Sequence, residues 1–192
     1  MLDLGANIDS EPQHLMQFAL MGDVVARALA GIDKPRIGLL NIGEEEIKGN
    51  DLIKQTHQLL KLSNLNYVGY VEGDGIFKGE ADVVICDGFV GNISLKTSEG
   101  VAKMMAHFIK QEINRNWLTK LTGVIAYPIW QGLKKKMNPS HYNGASLVGL
   151  TGIVIKSHGS ADADSFAQAV KVAIKAVEQD IPSLIAANMA QS

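Results

Sequence analysis

Cysteine is almost absent from this 192-residue chain, and neither sign of charge is in large excess. The single cysteine, Cys86, excludes an internal disulfide, is typical of a reducing compartment, and fits a small buried hydrophobic residue. A net charge of −2 gives no reason to expect a nucleic acid partner, and no RNA-binding signature or basic stripe with interleaved aromatics is present. The histidines lack metal-ligand spacing, so we expect neither a metal nor a cofactor.

Long apolar runs are also lacking. None approaches the ~20 residues that span a bilayer, and the first residues turn polar at once, so no signal peptide is visible. We therefore expect a cytoplasmic protein. With 46% hydrophobic and 20% charged residues, the composition is that of an ordinary globular protein.

The chain does contain a regular alternation of apolar runs and helical periods. Runs of strand type lie at residues 2–4, 36–40, 67–71, 83–86 and 152–155. Helical periods lie at residues 11–30, 51–62, 92–113 and 164–178, the last capped by Asp162 or Asp164. This alternation predicts βαβ units, and hence one α/β domain over residues 1–192: a three-layer sandwich with a mostly parallel sheet.

Two polar clusters with flanking glycines follow predicted strands, at residues 41–50 and 87–92. In open α/β sheets, ligands bind at the carboxyl ends of parallel strands, where glycines and a helix N-terminus can receive an anion. Lys48 can neutralise a phosphate or a developing oxyanion there, while Asn41 and Asn50 donate hydrogen bonds. The sequence therefore predicts a phosphate-like anion site. Its candidate residues are Asn41, Gly43, Glu45, Lys48, Asn50, Asp87, Gly88, Gly91 and Asn92.

Both clusters also have a purely structural interpretation, which the sequence leaves open. Asn50 fits the N-cap of the next helix, and the charges before it would then form a solvated turn. Asp87 can likewise cap a tight turn in which the glycines adopt positive φ.

No covalent nucleophile is apparent. Ser146 lacks the turn pattern of a nucleophilic serine. His158 follows a predicted strand and can contact a ligand, although an isolated histidine is more often structural. Acyl or phosphoryl transfer by direct attack of a bound anion needs only positioning and charge stabilisation, which suits glycine turns, a lysine and asparagines.

Residues 114–137 interrupt the alternation. Apolar side chains recur there at helical spacing on both sides of Pro128, which predicts two helical pieces broken before the proline. Between Lys110 and Lys136, six lysines and arginines accompany one acid, Glu112, although the chain as a whole is negative.

Four sets of short motifs, taken in order, resemble one known family. They are LDLGAN at residues 2–7; GLLNIGEE at 38–45 with KGN at 48–50; DGFVGN at 87–92 with LKT at 95–97; and GASL at 144–147 followed by HG at 158–159. Each motif is weak alone, but the ordered set covers essentially the whole chain. Together they resemble the PlsX family, the bacterial acyl-acyl-carrier-protein:phosphate acyltransferases of phospholipid synthesis.

This resemblance implies a fold like that of phosphate acetyltransferases and isopropylmalate dehydrogenases, a homodimer, and peripheral association with the cytoplasmic membrane. It implies that inorganic phosphate attacks the thioester of a long-chain acyl-acyl carrier protein, giving acyl phosphate and free carrier protein. The family's catalytic lysine and asparagine fall on Lys48 and Asn92. Lys48 would neutralise phosphate or the tetrahedral oxyanion, and Asn92 with nearby backbone N–H groups would orient it.

The same resemblance gives residues 114–137 the character of a protruding helical hairpin near the dimer interface that meets an anionic membrane. Basic residues beside tryptophan and aliphatic side chains suit that surface, and also an acidic carrier protein. The alternative is a stripe buried against the partner subunit. The expected contact residues are Leu121, Val124, Ile125, Ile129, Trp130 and Leu133.

Family members normally carry a substantial portion before the LDLGAN motif, so this chain resembles their C-terminal half or so. Two other functions stay open: a short-chain phosphotransacetylase-like enzyme, and an inactive fragment that binds membrane or carrier protein. A nicotinamide dehydrogenase of related fold is disfavoured, because no G-x-G-x-x-G fingerprint or metal-binding aspartate set is present.

Overall fold

The computed structural model describes residues 1–137, 143–159 and 161–190, without the side chains of residues 133–137. This part of the chain is a mixed α/β fold. Its strands are β1 (Ile37–Leu40), β2 (Tyr67–Val71), β3 (Val83–Ile85), β4 (Ala145–Ser146) and β5 (Ile155–Lys156). Its helices are α1 (Pro12–Val25, extended by a π-helical turn over Ala26–Ala30), α2 (Asp51–Leu62), α3 (Gly75–Lys78), α4 (Gly88–Ile113), α5 (Trp117–Ile125), α6 (Tyr127–Met137), α7 (Ala163–Glu178) and α8 (Ile181–Met189).

The main sheet is small and parallel, with the strand order β2-β1-β3. Leu2 forms a further parallel bridge to Ile85 on the outer side of β3. The predicted parallel α/β arrangement is therefore confirmed in this coarse form. The predicted strand at residues 2–4 is wrong in extent, because the chain turns away after the bridge at Leu2.

The predicted strand at residues 152–155 is also wrong. Only Ile155–Lys156 is a strand there, and it pairs antiparallel with β4 in a separate two-stranded hairpin. Gly152 lies in the bend that precedes it. The apolar run is thus the second arm of a hairpin and does not add a strand to the parallel sheet.

The core lies mainly on one face of the sheet. Because side chains alternate along a strand, Ile37 and Leu39 point to this face, where they belong to one buried cluster with residues of α1, α2 and α8. Burial of each such aliphatic side chain stabilises the fold by about 1.5–3 kcal/mol. The other face carries a smaller cluster. Its buried members are Leu40, Val71, Val84 and Cys86.

Helix ends follow the expected local chemistry. Of the two predicted caps, the side chain of Asp162 caps α7, and Gly31 ends the first helical segment in the left-handed conformation at φ 71°. Helix α4 begins at Gly88, four residues before the predicted start, because Asp87 caps it and both glycines lie in its first turn. Helix α8 was not expected from the sequence; Pro182 lies in its first turn and Ile185 is buried in the core.

Residues 117–137 form the two expected helical pieces, α5 and α6, separated at Ala126. Gly123 lies against the end of α4, where a Cβ would be only 2.7 Å from Cγ2 of Ile113. Among the described residues, no helix has both the length and the apolar character needed to cross a membrane.

A buried histidine joins α2 to β2. Nδ1 of His57 lies 2.6 Å from the hydroxyl of Tyr67, and the ring stacks on Tyr70 with centroids 4.4 Å apart. Nε2 is buried and has no hydrogen bond within the part of the chain that the structure describes; it lies 3.9 Å from the carboxylate of Glu46. Burial lowers the pKa of His57 below 6.5, and the charge of Lys61 lowers it further, so the folded protein favours the neutral ring.

This lowered pKa predicts an acid-sensitive stability. A neutral buried imidazole stabilises the fold above the unfolded-state pKa near 6.5, and that stabilisation is lost as the pH falls through the lower folded-state pKa. We expect His57→Gln to lose less stability than the wild type between pH 7.5 and pH 5, as measured by urea unfolding. His107→Gln, on the exposed surface of α4, is the control. An unchanged pH profile in His57→Gln would contradict the prediction.

Candidate active site

Three loops leave the same edge of the sheet. Strands β1 and β3 are parallel neighbours, and Leu2 is bridged in parallel to β3. Because the carboxyl ends of parallel neighbours share an edge, the segments that follow them, residues 41–50, 86–88 and 3–7, emerge together there. This edge is the candidate active site.

A buried carboxylate organises the loop at residues 3–7. Oδ1 of Asp3 accepts hydrogen bonds from the backbone N–H groups of Gly5 (2.8 Å) and Ala6 (2.9 Å). Oδ2 accepts from the backbone N–H of Asn7 (2.7 Å) and from its side-chain amide (2.9 Å). Asp3 is 7% exposed. Four donors therefore converge on one side chain, and the loop is wrapped around its own anion.

This loop packs directly on the first turn of α4. The carbonyl of Asn7 accepts a hydrogen bond from the N–H of Gly88 at 2.8 Å. A Cβ at Gly91 would lie 1.8 Å from the backbone oxygen of Asp3, so only glycine permits this approach. A Cβ at Gly5 would lie 3.4 Å from Asn92, so this glycine forms a wall beside the Asn92 side chain.

The first turn of α4 uses most of its own donors. Asp87 caps the helix, with Oδ1 accepting from the N–H of Val90 at 2.8 Å and its carbonyl accepting from Gly91 at 2.9 Å. Asp87 therefore has the structural role that the sequence left open, as the N-cap of α4. The N–H groups of Gly88 and Gly91 are already bonded, so these glycines contribute close packing, while the exposed side chain of Asn92 is available to a ligand.

The loop at residues 41–50 is also held internally. Asn41 is buried, and its side-chain amide donates to the carbonyl of Gly43 at 3.0 Å. Gly49 has a φ of 89° and lies against Oδ1 of Asn41. Asn50 accepts from the N–H of Ile53 at 3.0 Å and caps α2. Both asparagines were expected to donate hydrogen bonds to a ligand. In the structure their side chains instead bond to the protein backbone, so Asn41 and Asn50 stabilise the loop and the start of α2.

Lys48 is the exposed cation of this loop. Its backbone N–H donates to the carbonyl of Glu45 at 2.9 Å, closing a turn. Its side chain passes over Gly43, where a Cβ would lie 3.1 Å from Cγ of Lys48 and 2.7 Å from a carboxylate oxygen of Glu45. Within the described part of the chain, the ammonium group forms no ion pair.

The structure thus brings the candidates together in two groups. Asn41, Gly43, Glu45, Lys48 and Asn50 form one, and Asp87, Gly88, Gly91 and Asn92 form the other. Across residues 1–137, 143–159 and 161–190, no hydrogen bond or ion pair links the two groups. What they share is the edge of the sheet.

His158, which follows β5, lies apart from both groups. Its backbone N–H donates to Oδ1 of Asn143 at 2.9 Å. The pKa of Glu99 is lowered mainly by its hydrogen bond from Lys96, and also by the charge of His158. His158 is therefore within electrostatic reach of Glu99, about two helical turns beyond Asn92.

The residues expected to contact membrane or partner lie on α5 and α6. Leu121 is 53% exposed, and Val124, Ile125 and Ile129 are each more than 70% exposed. Trp130 is half-buried, and its indole nitrogen has no hydrogen-bond partner among the described residues. The side chain of Leu133 lies outside the described residues.

Cys86 is next to the site but is protected from reaction. Burial raises the pKa of its thiol to about 12, and the thiol donates to the carbonyl of Asp3 at 3.2 Å. A protonated, buried thiol is a poor nucleophile. This agrees with the sequence interpretation of Cys86 as a buried hydrophobic residue.

Asp3, Gly5 and Asn7 were not among the residues expected at the site, although their motif is part of the family resemblance. One signal was available: an aspartate directly after a strand, followed by glycine and a short polar turn, favours side-chain bonds to the next backbone N–H groups. The predicted strand covered residues 2–4 and so included Asp3, whereas in the structure only Leu2 forms a bridge to β3. Asp3 was therefore not recognised as the first residue of a turn.

The exposed Lys48 on a strand-end loop and the exposed Asn92 near the start of α4 lie at the carboxyl edge of a parallel sheet, which is where α/β proteins as a class bind their ligands. Comparison with known proteins gives the particular family. The family described as Fatty acid synthesis protein matches residues 1–184, and the chain belongs to it.

Individual relatives agree with this family. The protein named Phosphate acyltransferase of Alcanivorax borkumensis is 60% identical over 192 residues, covering 100% of this chain and 57% of that protein. The protein of the same name from Alkalilimnicola ehrlichii is 59% identical over 185 residues, covering 96% of this chain and 54% of that protein. The chain therefore spans about half the length of the curated relatives it matches.

Proposed function

We propose that this chain contributes the catalytic edge of a phosphate acyltransferase that moves a long-chain acyl group from acyl-acyl carrier protein to inorganic phosphate. The product would be an acyl phosphate used in phospholipid synthesis. The observation that carries this proposal is the 60% identity, over all 192 residues, to a protein named Phosphate acyltransferase. The exposed Lys48 and Asn92 at one sheet edge support it.

In the proposed reaction, a phosphate oxygen attacks the thioester carbonyl carbon. The carbonyl π electrons move to oxygen and form a tetrahedral oxyanion, which collapses as the C–S bond breaks. The thiolate of the carrier protein leaves with that electron pair and takes a proton from solvent. The chemistry needs two anions held together, so charge stabilisation is the main task of the protein.

Lys48 and Asn92 suit this task. Lys48 would place its charge against the phosphate or the oxyanion, with its backbone fixed by the turn to Glu45. Asn92, whose side chain packs beside Gly5, would donate a hydrogen bond from its side-chain amide to the same group. Asn41, Gly43, Glu45 and Asn50 would shape the phosphate side of the site, and Asp87, Gly88 and Gly91 would fix the start of α4. His158 would contact a more distant part of the substrate.

The test is phosphate-dependent release of carrier protein from palmitoyl-acyl carrier protein. It is run on the 192-residue chain and on the completed protein, defined as this chain fused to the part of the Alcanivorax borkumensis relative that it does not cover. We expect activity in the completed protein that rises with phosphate. No release above the buffer rate in either form would overturn the proposal, and release from acetyl-CoA alone would favour a short-chain enzyme.

The completed protein would also complete the fold. One sheet face is covered by α1, α2 and α8, and the other carries the smaller cluster around Val84 and Cys86. We infer that further elements cover this second face, giving a three-layer sandwich like that of phosphate acetyltransferases and isopropylmalate dehydrogenases. The exposed apolar side chains along α4 would then meet a second copy in a homodimer. They include Val101, Met104, Met105 and Phe108.

The helices α5 and α6 would form the peripheral membrane contact. Their exposed aliphatic side chains lie between basic segments, and attraction to anionic lipid is about 1 kcal/mol for each lysine or arginine held near the surface. The protein would then act at the inner face of the cytoplasmic membrane.

A flotation experiment tests this contact. Leu121→Glu and Ile125→Glu are each expected to reduce binding to vesicles containing anionic lipid at least several-fold, because a carboxylate opposes both apolar insertion and lipid charge. Ile174→Glu, at an exposed apolar position of α7, is the matched control. Equal flotation of wild type and both hairpin variants would contradict the membrane assignment.

A further inference from the structure

We propose that Asp3 is a positioning residue of this active site. Its buried carboxylate fixes the loop at residues 3–7, and Gly5 of that loop packs beside the side chain of Asn92. The inference rests on the proposed function, because it concerns how Asn92 is placed for acyl transfer. Asp3 itself would touch neither substrate.

The cradle around Asp3 has the form of an anion site that is already occupied. Backbone N–H groups of Gly5, Ala6 and Asn7 point at its carboxylate within 2.9 Å, together with the Asn7 side-chain amide. Successive N–H groups in this arrangement are a general way to bind an anion. Because Asp3 uses all four donors, the loop offers none of them to phosphate. The anion site must therefore be built from neighbouring groups.

The carboxylate is ionised within this cradle. Burial alone would raise the pKa of Asp3, but the hydrogen bonds from the loop outweigh it and hold the pKa below its ordinary value. At neutral pH the N–H groups of the loop therefore donate their hydrogen bonds to a fully charged carboxylate. Charge-assisted bonds of this kind are stronger than neutral ones, so they stabilise the loop conformation described above.

Two contacts carry this order to α4. The Asn7 carbonyl accepts from the N–H of Gly88, and the Gly5 backbone lies beside the Asn92 side chain. The carbonyl of Asp3 also presses against Gly91. If the cradle loosens, Gly5 and Asn7 lose their fixed positions, and Asn92 loses the surface that restricts its rotamers. A misplacement of about 1 Å can slow catalysis on the order of 10²-fold.

The decisive experiment empties the cradle and refills it. Asp3→Ala removes the carboxylate and leaves the backbone N–H groups free for a small external carboxylate. In the completed protein we expect kcat to fall about tenfold or more with the KM for acyl-acyl carrier protein nearly unchanged. Sodium formate should restore much of kcat, while sodium chloride at equal ionic strength should not.

Two further variants keep the outcome interpretable. Asp82→Ala is the matched control, because Asp82 accepts several bonds from Arg36 at the opposite end of β3, away from the site. It should lower stability without changing kcat and should not respond to formate. Asn7→Ala removes one of the four donors and preserves the carboxylate, so it should reduce kcat less than Asp3→Ala does. This variant tests the inference if Asp3→Ala does not fold.

A spectroscopic readout separates this inference from the proposed function. In ¹⁵N-labelled chain, Asp3→Ala should shift or broaden the side-chain amide resonances of Asn92, and formate should return them, whatever reaction the protein catalyses. If the wild type is inactive but these shifts are observed, the proposed function is wrong, while the role of Asp3 in positioning Asn92 is supported. Unchanged Asn92 resonances, or unchanged kcat in a folded Asp3→Ala, would overturn the inference.

Discussion

Replacing Lys48 by alanine in the completed protein is expected to slow phosphate-dependent acyl transfer on the order of 10²-fold or more. The ammonium group is exposed on a strand-end loop and has no ion-pair partner in the described residues, so its charge is available to phosphate or to the oxyanion. Asn92→Ala is expected to have a loss of similar size. Turnover of palmitoyl-acyl carrier protein under saturating phosphate measures both effects.

Matched variants make this prediction specific. Lys54→Ala removes an exposed lysine from the helix that follows the same loop, and should leave kcat within about twofold of wild type. Asn92→Asp keeps the shape and adds a negative charge, so it should be worse than Asn92→Ala. If Lys48 and Asn92 stabilise one transition state, the double alanine variant will lose less than the product of the single losses. Near-normal rates in both single variants would remove the site assignment.

Gly91→Ala is expected to destabilise the protein by about 3 kcal/mol or more. The added Cβ would lie 1.8 Å from the carbonyl oxygen of Asp3 and 2.9 Å from the sulfur of Cys86. The first of these is a backbone atom already fixed by the bridge at Leu2, so relief requires moving the loop away from α4. Urea unfolding followed by circular dichroism measures the loss.

Gly100→Ala is the control within the same helix. No atom of another described residue lies within 4 Å of a Cβ at Gly100 outside the backbone of its own helix, and Gly100 is exposed. Alanine is the better helix former by up to about 1 kcal/mol, so this variant should be more stable than the wild type. The two substitutions are chemically identical and are expected to differ in sign. Equal stabilities would show that the loop does not press on α4 at Gly91.

Local chemistry made much of the secondary structure predictable. Helix α2 was expected at residues 51–62, which are its observed bounds, because apolar residues repeat at helical spacing after Asn50. The three strands of the parallel sheet were visible as short apolar runs. The errors came where a partner decides the outcome: residues 152–155 form one arm of an antiparallel hairpin, and only pairing with β4 reveals this.

The loops that carry the candidate site residues were predictable in their position at the sheet edge, and their internal hydrogen bonds were less so. Polar residues after β1 and β3 had to leave the same edge of the sheet once these strands were parallel neighbours. The sequence could not tell whether Asp87 and Asn50 would serve a ligand or cap helices, because both uses require the same residue types at the same places. The cradle of Asp3 was missed since it depends on a turn, not on a periodic pattern.

The length of α4 has a consequence for how the two ends of the molecule could work together. From Asn92 to Ile113 the helix axis runs about 30 Å. That spacer is as long as the hydrocarbon layer of a bilayer is thick. The membrane contact proposed for α5 and α6, at its far end, would then hold the protein at the lipid surface while the proposed reacting groups stay in water.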